Sequence, residues 1–153
     1  MRFTTFTDYS LRTLIYLAAR PERRATIGEV ASAFGISQNH LMKVAHLLGR
    51  EGLLTNTRGK GGGLALARPP RSINIGRVVR ATEGPPRPAE CFDKERNACA
   101  ITPVCELRRV LREAVKAFYA VLDRHTLEDL VANRAALDAL LSRRVARAAD
   151  IAR

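Results

Sequence analysis

Cys91, Cys99 and Cys105 are the only cysteines in the chain, and they share one segment, with seven residues between the first pair and five between the second. A Pro-rich stretch, Gly84 to Glu90, precedes them, and a long helical pattern follows. Thiols this close along a chain can converge on one point. An odd number argues against a closed disulfide framework. No signal-peptide pattern opens the chain, which predicts a reducing cytoplasm where disulfides are rare. Structural zinc takes four protein ligands, often from cysteines two residues apart. The spacing here is looser, and no His lies within the segment. An iron–sulfur cluster is held by thiolates and accepts a non-Cys ligand at one iron. Three thiolates plus one oxygen or nitrogen ligand from elsewhere would suit it. Three chemistries stay open for these residues alone: an iron–sulfur site, zinc, or thiols that pack as small apolar groups.

The chain that must position this segment has 153 residues, enough for one domain with an extension. No apolar run is long enough to span a bilayer. Lys and Arg number 26 against 15 Asp and Glu, a net charge of +11. The excess is uneven. Residues 1–80 carry 13 basic and 4 acidic residues, while residues 81–153 carry 13 and 11. The N-terminal half is therefore a candidate polyanion-binding domain, with an ordinary solvated basic surface as the plainer alternative.

Thr7 or Asp8 can cap a first helix, whose apolar face is Leu11, Leu14, Ile15 and Ala18. Asp8 lies at its start with its carboxylate pointing outward, as a cap or as a ligand. Thr26-Ile-Gly-Glu29 is a capping box that opens a second helix. Gly35 ends that helix, and Ser37 begins a third, completing a helix-turn-helix pattern. In the third helix Leu41, Val44, Leu47 and Leu48 face inward. Ser37, Gln38, Asn39, His40, Lys43, His46 and Arg50 are left outside, a set with many donors and no carboxylate. Gln and Asn pair with adenine, and Lys and Arg with guanine or phosphate, so this face suits the major groove. An ordinary polar helix face is the alternative. Leu53–Arg58 and Leu64–Ala67 then predict two strands around Gly59-Lys-Gly-Gly-Gly63, a wing. Arg58 and Lys60 can reach phosphates or a minor groove, and Gly61 and Gly62 allow close backbone approach.

Ile75, Val78 and Val79 support a short helix that ends near Gly84. Past the cysteines, Val104, Leu107, Leu111, Ala114, Phe118 and Val121 form a heptad seam that predicts pairing with a second copy. Thr126-Leu-Glu-Asp129 caps a last helix carrying Leu127, Leu130, Val131, Leu137, Leu140 and Leu141. His125 lies in the joint between the two. The expected fold is mainly α: a winged helix-turn-helix with a two-stranded wing and a long C-terminal dimerisation helix. Its expected divisions are a DNA-binding domain over 1–83, a linker and cysteine loop over 84–105, and a dimerisation helix with the C-terminal helix over 106–153.

Several features now stand in a fixed order: Thr7-Asp-Tyr-Ser10, Ser37-Gln-Asn-His-Leu41, Arg58-Gly-Lys-Gly-Gly-Gly63-Leu64, Ile75-Gly76, the three cysteines, and Thr126-Leu-Glu-Asp-Leu130. In this combination the chain resembles the bacterial winged-helix iron–sulfur regulators of the IscR/NsrR family, most of all the nitric-oxide-sensing NsrR group. The resemblance covers nearly the whole chain. It implies a homodimeric, cytoplasmic transcription factor on a palindromic operator in double-stranded DNA. It implies a four-iron–four-sulfur cluster, with a two-iron form as the alternative. The implied ligands are Cys91, Cys99, Cys105 and, from the partner subunit, Asp8. IscR-like members use a His just past the third cysteine, and Glu106-Leu-Arg-Arg109 has none.

The implied function is a repressor that releases DNA when nitric oxide attacks the cluster. The alternatives are a sensor of iron or cluster supply on the same architecture, an electron carrier, and a winged-helix regulator with structural zinc or no metal. A carrier has no use for a wing and a recognition helix. An enzyme is not expected, since no nucleophile–base pair, nucleotide loop or paired carboxylates occur.

Overall fold

A computed structural model describes residues 3–151, with side chains through Arg147. Helix α1 spans Thr5–Ala19. Its cap is Thr4, whose hydroxyl accepts from the Thr7 amide at 3.2 Å. Thr7, expected as a cap, is buried within the helix and donates its hydroxyl to Glu83 at 3.1 Å. Several residues near this end could cap, and the tertiary contact with Glu83 decides among them. Glu83 also accepts from the Thr4 amide at 2.7 Å.

Helix α2 (Ile27–Phe34) opens on the expected capping box, with Thr26 and Glu29 each serving the other's amide at 2.7 and 3.1 Å. Gly35 follows in the left-handed region at φ 65°, which only Gly enters without strain, and turns the chain into α3 (Gln38–Arg50). Leu14, Val30, Leu41, Val44 and Leu48 are fully or almost fully buried where α1, α2 and α3 meet. This cluster holds the recognition helix against the body.

Strands β1 (Leu54–Thr57) and β2 (Gly63–Leu66) pair antiparallel, Leu54 opposite Leu66 and Thr57 opposite Gly63. On its other edge β2 pairs with Ala25: the Ala25 amide donates to the Leu64 carbonyl at 3.0 Å, and the Ala25 carbonyl accepts from the Leu64 amide at 2.8 Å. The wing is thus tied to the residue just before the α2 cap.

Helix α4 (Ile75–Glu83) is capped by Asn74. It packs on α1 and α5 (Glu106–Leu122). Arg80 holds Asp123 through two bonds of 2.6 and 2.7 Å and lies over the Tyr119 ring. A Cβ at Gly76 would collide with the Asp123 carboxylate, so a residue without a side chain is needed where α4 meets this pair.

Of the expected seam, Val104, Leu107, Ala114 and Val121 do face solvent, while Leu111 and Phe118 are half-buried. Phe118 turns toward the body with Val115, Tyr119 and Leu122, whereas Leu111 is not part of that core. The solvent-facing row is Val104, Leu107, Val110, Ala114, Ala117 and Val121. Leu107 is 62% exposed and Val110 49%.

Thr126 and Asp129 form their capping box, but it heads a single turn, α6 (Leu127–Leu130). The chain breaks there before α7 (Arg134–Ile151), so the expected last helix is two. Helix α7 packs mainly on α2 and α1. Leu137, Leu141 and Val145 join the core, and buried Arg20 donates to the Asp138 carboxylate and to Ser142 Oγ. The C-terminal helix therefore braces the helix-turn-helix. His125 serves through its backbone carbonyl, which accepts from the Ile75 amide at 3.0 Å.

Candidate cluster loop and DNA-binding face

The outer face of α3 is as expected. Gln38, Asn39, His40, Lys43, His46 and Arg50 are all exposed. Ser37 occupies the N-cap position, but its hydroxyl makes no capping bond, so it is free to meet another molecule. The helix N-terminus carries unpaired amides and a partial positive charge, which suits a phosphate.

The structure adds two residues to this face. Gln38, Met42, His46, Arg50, Asn56 and Arg58 share a groove between α3 and the wing, about 710 Å³ in volume. Met42 is 52% exposed, a thioether set among polar groups where a thymine methyl could lie. Periodicity places Met42 on the outer face, but composition points to Gln, Asn and Lys first. Asn56 is visible only once the hairpin is folded against α3.

At the wing tip Arg58, Lys60 and Gly61 are exposed, and Gly59 and Gly61 have φ of 92° and 78°. Gly62 has another reason from the one expected. A Cβ there would run into the Thr57 carbonyl oxygen, so the turn itself also requires Gly62.

Cys91, Cys99 and Cys105 are half-buried free thiols. Cys91 lies in a short 3-10 turn, Glu90–Phe92, and Cys105 at the N-cap of α5. Side-chain bonds fold the loop between them. Glu90 accepts from the Ala98 amide, and Asn97 Oδ1 accepts from the Cys99 amide and the Thr102 hydroxyl, both at 3.2 Å. Arg87 pairs with Asp93 at 2.7 Å. Among the described residues no three His, Cys, Asp or Glu side chains gather into one site. Cys105 thus stands at the start of α5, and the three thiols are not drawn together into one site. The donor set fits a thiolate-held cluster in its chemistry: three unpaired soft ligands, accessible and near an exposed seam.

Asp8 sits in the first turn of α1, and Arg12 holds both its oxygens at 2.9 Å. The carboxylate is about 40% exposed and lies on an open hollow of about 510 Å³ lined by Phe3, Thr5, Tyr9, Arg12, Phe34 and Ile36. Among the described residues no helix is long and apolar enough to cross a membrane.

Residues 3–133 match the Rrf2 family, described as an iron-dependent transcriptional regulator. The HTH-type transcriptional regulator NsrR of Bacillus subtilis (strain 168) is 52% identical over 135 residues, 88% of this chain and 92% of that protein. NsrR of Halalkalibacterium halodurans is 46% identical over 142 residues, 92% of this chain and 97% of that one. Among solved structures, T. potens IscR superposes with a TM-score of 0.70 at 27% identity, covering 87% of this chain and 88% of the other. CymR, the global cysteine regulator of B. subtilis, gives 0.66 at 29% identity, covering 87% and 98%. These relatives are regulators of transcription rather than enzymes. The chain is a DNA-binding winged-helix transcriptional regulator of the Rrf2 family.

Proposed function

We propose that two copies of this chain form a cytoplasmic homodimeric repressor that reads a palindromic operator and releases it in response to nitric oxide. The cluster is of the four-iron–four-sulfur type, with a two-iron form as the alternative. Its ligands are Cys91, Cys99 and Cys105 of one protomer and Asp8 of the partner subunit. When bound, it supplies iron that nitric oxide attacks. Residues 1–83 read DNA, 84–105 carry the cluster, and α5 within 106–153 joins the copies. The observation that carries this reading is the place of the free thiols: Cys105 stands at the N-cap position of α5 with no capping bond of its own, and the exposed row Val104, Leu107, Val110 begins beside it. A second chain docking on that row covers the open end of the thiol loop. The likeness to regulators named NsrR supports the same reading.

In the dimer, the two copies of α3 enter successive major grooves about 34 Å apart. Asp8 belongs to the helix that packs on α3, so a ligand taken from the opposite chain ties cluster state to the spacing of the two recognition helices. Losing that link lets the helices shift, and the DNA dissociates.

A second reading has its own support. The family is described as iron-dependent, which favours iron or cluster supply as the signal. Stepwise addition of nitric oxide to anaerobically purified protein separates the two, with visible absorbance and operator binding followed together. Under the first reading, absorbance bleaches and DNA is released in step. A cluster that reacts without changing DNA affinity points to iron supply instead. A colourless protein that contains zinc or no metal and binds DNA regardless removes both.

A further inference from the structure

Outward residues four apart on α3 share a row, and Gln38, Met42 and His46 form one. Met42 is 52% exposed. Among the described residues of the N-terminal half, 3–83, it is the only large apolar side chain left so open; the others lie in the cysteine loop or on the helices beyond it. Ile27 of α2 and buried Ala45 line the same groove and give it an apolar patch. The rest of its lining is polar. Arg50 and Arg58 supply cations, and among the described residues no carboxylate lines the groove. A single exposed apolar group is unremarkable on an ordinary surface. This one stands in the middle of a polar row, in a groove whose charge suits a polyanion.

We propose that Met42 is a specificity-determining residue that selects a thymine in each half of the operator by packing its thioether against the C5-methyl group. This rests on α3 entering the major groove, as proposed above, and on nothing about the cluster or nitric oxide. The chemistry singles out thymine. Of the groups that the four base pairs show in the major groove, the thymine methyl is the only apolar one, and the rest are donors and acceptors. A thioether is a weak acceptor and no donor. Set against a base amino group or carbonyl, it would displace water and return no full hydrogen bond. Set against a methyl group, both partners withdraw apolar surface from water. The side chain is unbranched and polarizable, so it can follow the base rather than needing a preformed slot. Gln38 lies one turn nearer the helix start and reads a neighbouring pair, where its bidentate partner is adenine.

The test uses the protein as purified anaerobically. A duplex is selected from a random-sequence library by the wild-type chain. Each thymine is then replaced in turn, in both half-sites, by deoxyuridine, which lacks only the methyl group. The readout is the ratio of affinities for the thymine and uracil duplexes. With wild type, one thymine in each half-site should show a ratio of about fourfold per methyl, the equivalent of one buried methylene. Met42→Ala should bring that ratio to about one, with the ratios at the other thymines as in wild type. Ala is a good helix former, so α3 is kept. Met42→Leu, apolar and close in volume, should retain the ratio. The proposal is overturned if no thymine loses its uracil sensitivity in Met42→Ala, or if that variant weakens binding to both duplexes alike. Lys43→Ala keeps two failures apart, since Lys43 is exposed on α3 outside the Met42 row. If it too leaves affinity for the selected duplex unchanged, α3 is not the reading helix and both readings fall. If it weakens binding while the uracil ratios ignore Met42, only the assignment of Met42 falls.

Discussion

Arg12 grips Asp8 through two parallel bonds, Nε to Oδ1 and Nη2 to Oδ2, each 2.9 Å long. Both side chains are about two-fifths exposed, and the pair spans one helical turn. A pair of this kind contributes only about 0.3–0.5 kcal/mol. Arg12 therefore competes weakly for Asp8, and an iron ligand can displace it. Asp8→Ala should cost the fold about 1 kcal/mol at most, counting the favourable charge at the helix start. The same variant should shift the nitric oxide dose that releases DNA. A variant that forms the same cluster and releases DNA at an unchanged dose would exclude the linking role of Asp8.

The exposed row on α5 predicts the oligomer. Leu107→Glu combined with Val110→Glu places two charges on an exposed surface outside the described core. The variant should sediment as a monomer while its far-ultraviolet circular dichroism matches wild type. Persistence of the dimer would locate the interface elsewhere. Phe118 should behave differently, because it packs against the core: Phe118→Glu should unfold or loosen the protein.

The wing separates charge from shape. Arg58→Ala should weaken binding to every duplex and reduce the salt slope of log affinity by about one. Gly62→Ala leaves the charge untouched but drives a methyl group into the Thr57 carbonyl. It should weaken DNA binding through a displaced tip, with a thermal midpoint close to wild type, because the hairpin projects from the core. An unchanged slope for Arg58→Ala would take that residue out of the phosphate contacts.

Gly76 is the packing constraint between α4 and α5. Gly76→Ala gains about 1 kcal/mol of helix propensity, but the new methyl group meets the Asp123 carboxylate and comes within 3.0 Å of Arg80. Asp123 is short and held at two points, so it cannot swing clear without losing Arg80. Urea unfolding should show a net loss of about 1–2 kcal/mol, in the range for overpacking. Adding Asp123→Ala should recover part of that loss, since it removes the obstructing group.

Three carboxylates predict how stability depends on acid. The Arg80 hydrogen bond holds Asp123 below its ordinary value of 3.8, and the Thr126 amide does the same for Asp129. Burial works to raise Glu29 above its ordinary 4.5, but the Thr26 amide and Arg23 more than offset it and leave it lowered. Groups with a lowered folded value stabilise the fold above their unfolded value and lose that contribution as pH falls through the folded one. The unfolding midpoint in urea should therefore be flat with respect to these groups between pH 7 and about 5 and fall below about 4.5. Asp123→Asn should flatten the lower part of that curve.

Much of the molecule was legible before folding. The Thr26–Glu29 and Thr126–Asp129 boxes, the Gly35 turn and the glycine hairpin depend on bonds between residues at most a few positions apart, and such bonds are written in local order. The outward residues of α3 were legible for the same reason, because a 3.6-residue period separates faces without reference to partners. The segment that holds the three cysteines was visible from residue type and spacing, but that its thiols stand apart was not. Tertiary structure decided what local order leaves degenerate. Thr4 outcompetes Thr7 as the cap because Glu83, 76 positions beyond Thr7, claims the Thr7 hydroxyl. On α5 most of the heptad seam stays open, and contact with the rest of the chain turns Phe118 inward. Helix α7 braces the helix-turn-helix because Arg20 finds Asp138 and Ser142, partners more than a hundred residues away. Gly62 and Met42 take their roles from a carbonyl and a groove that exist only after the hairpin has closed on α3. Periodicity and capping chemistry act along the chain and can be read there, whereas the choice between equivalent faces is made by surfaces that folding alone brings together.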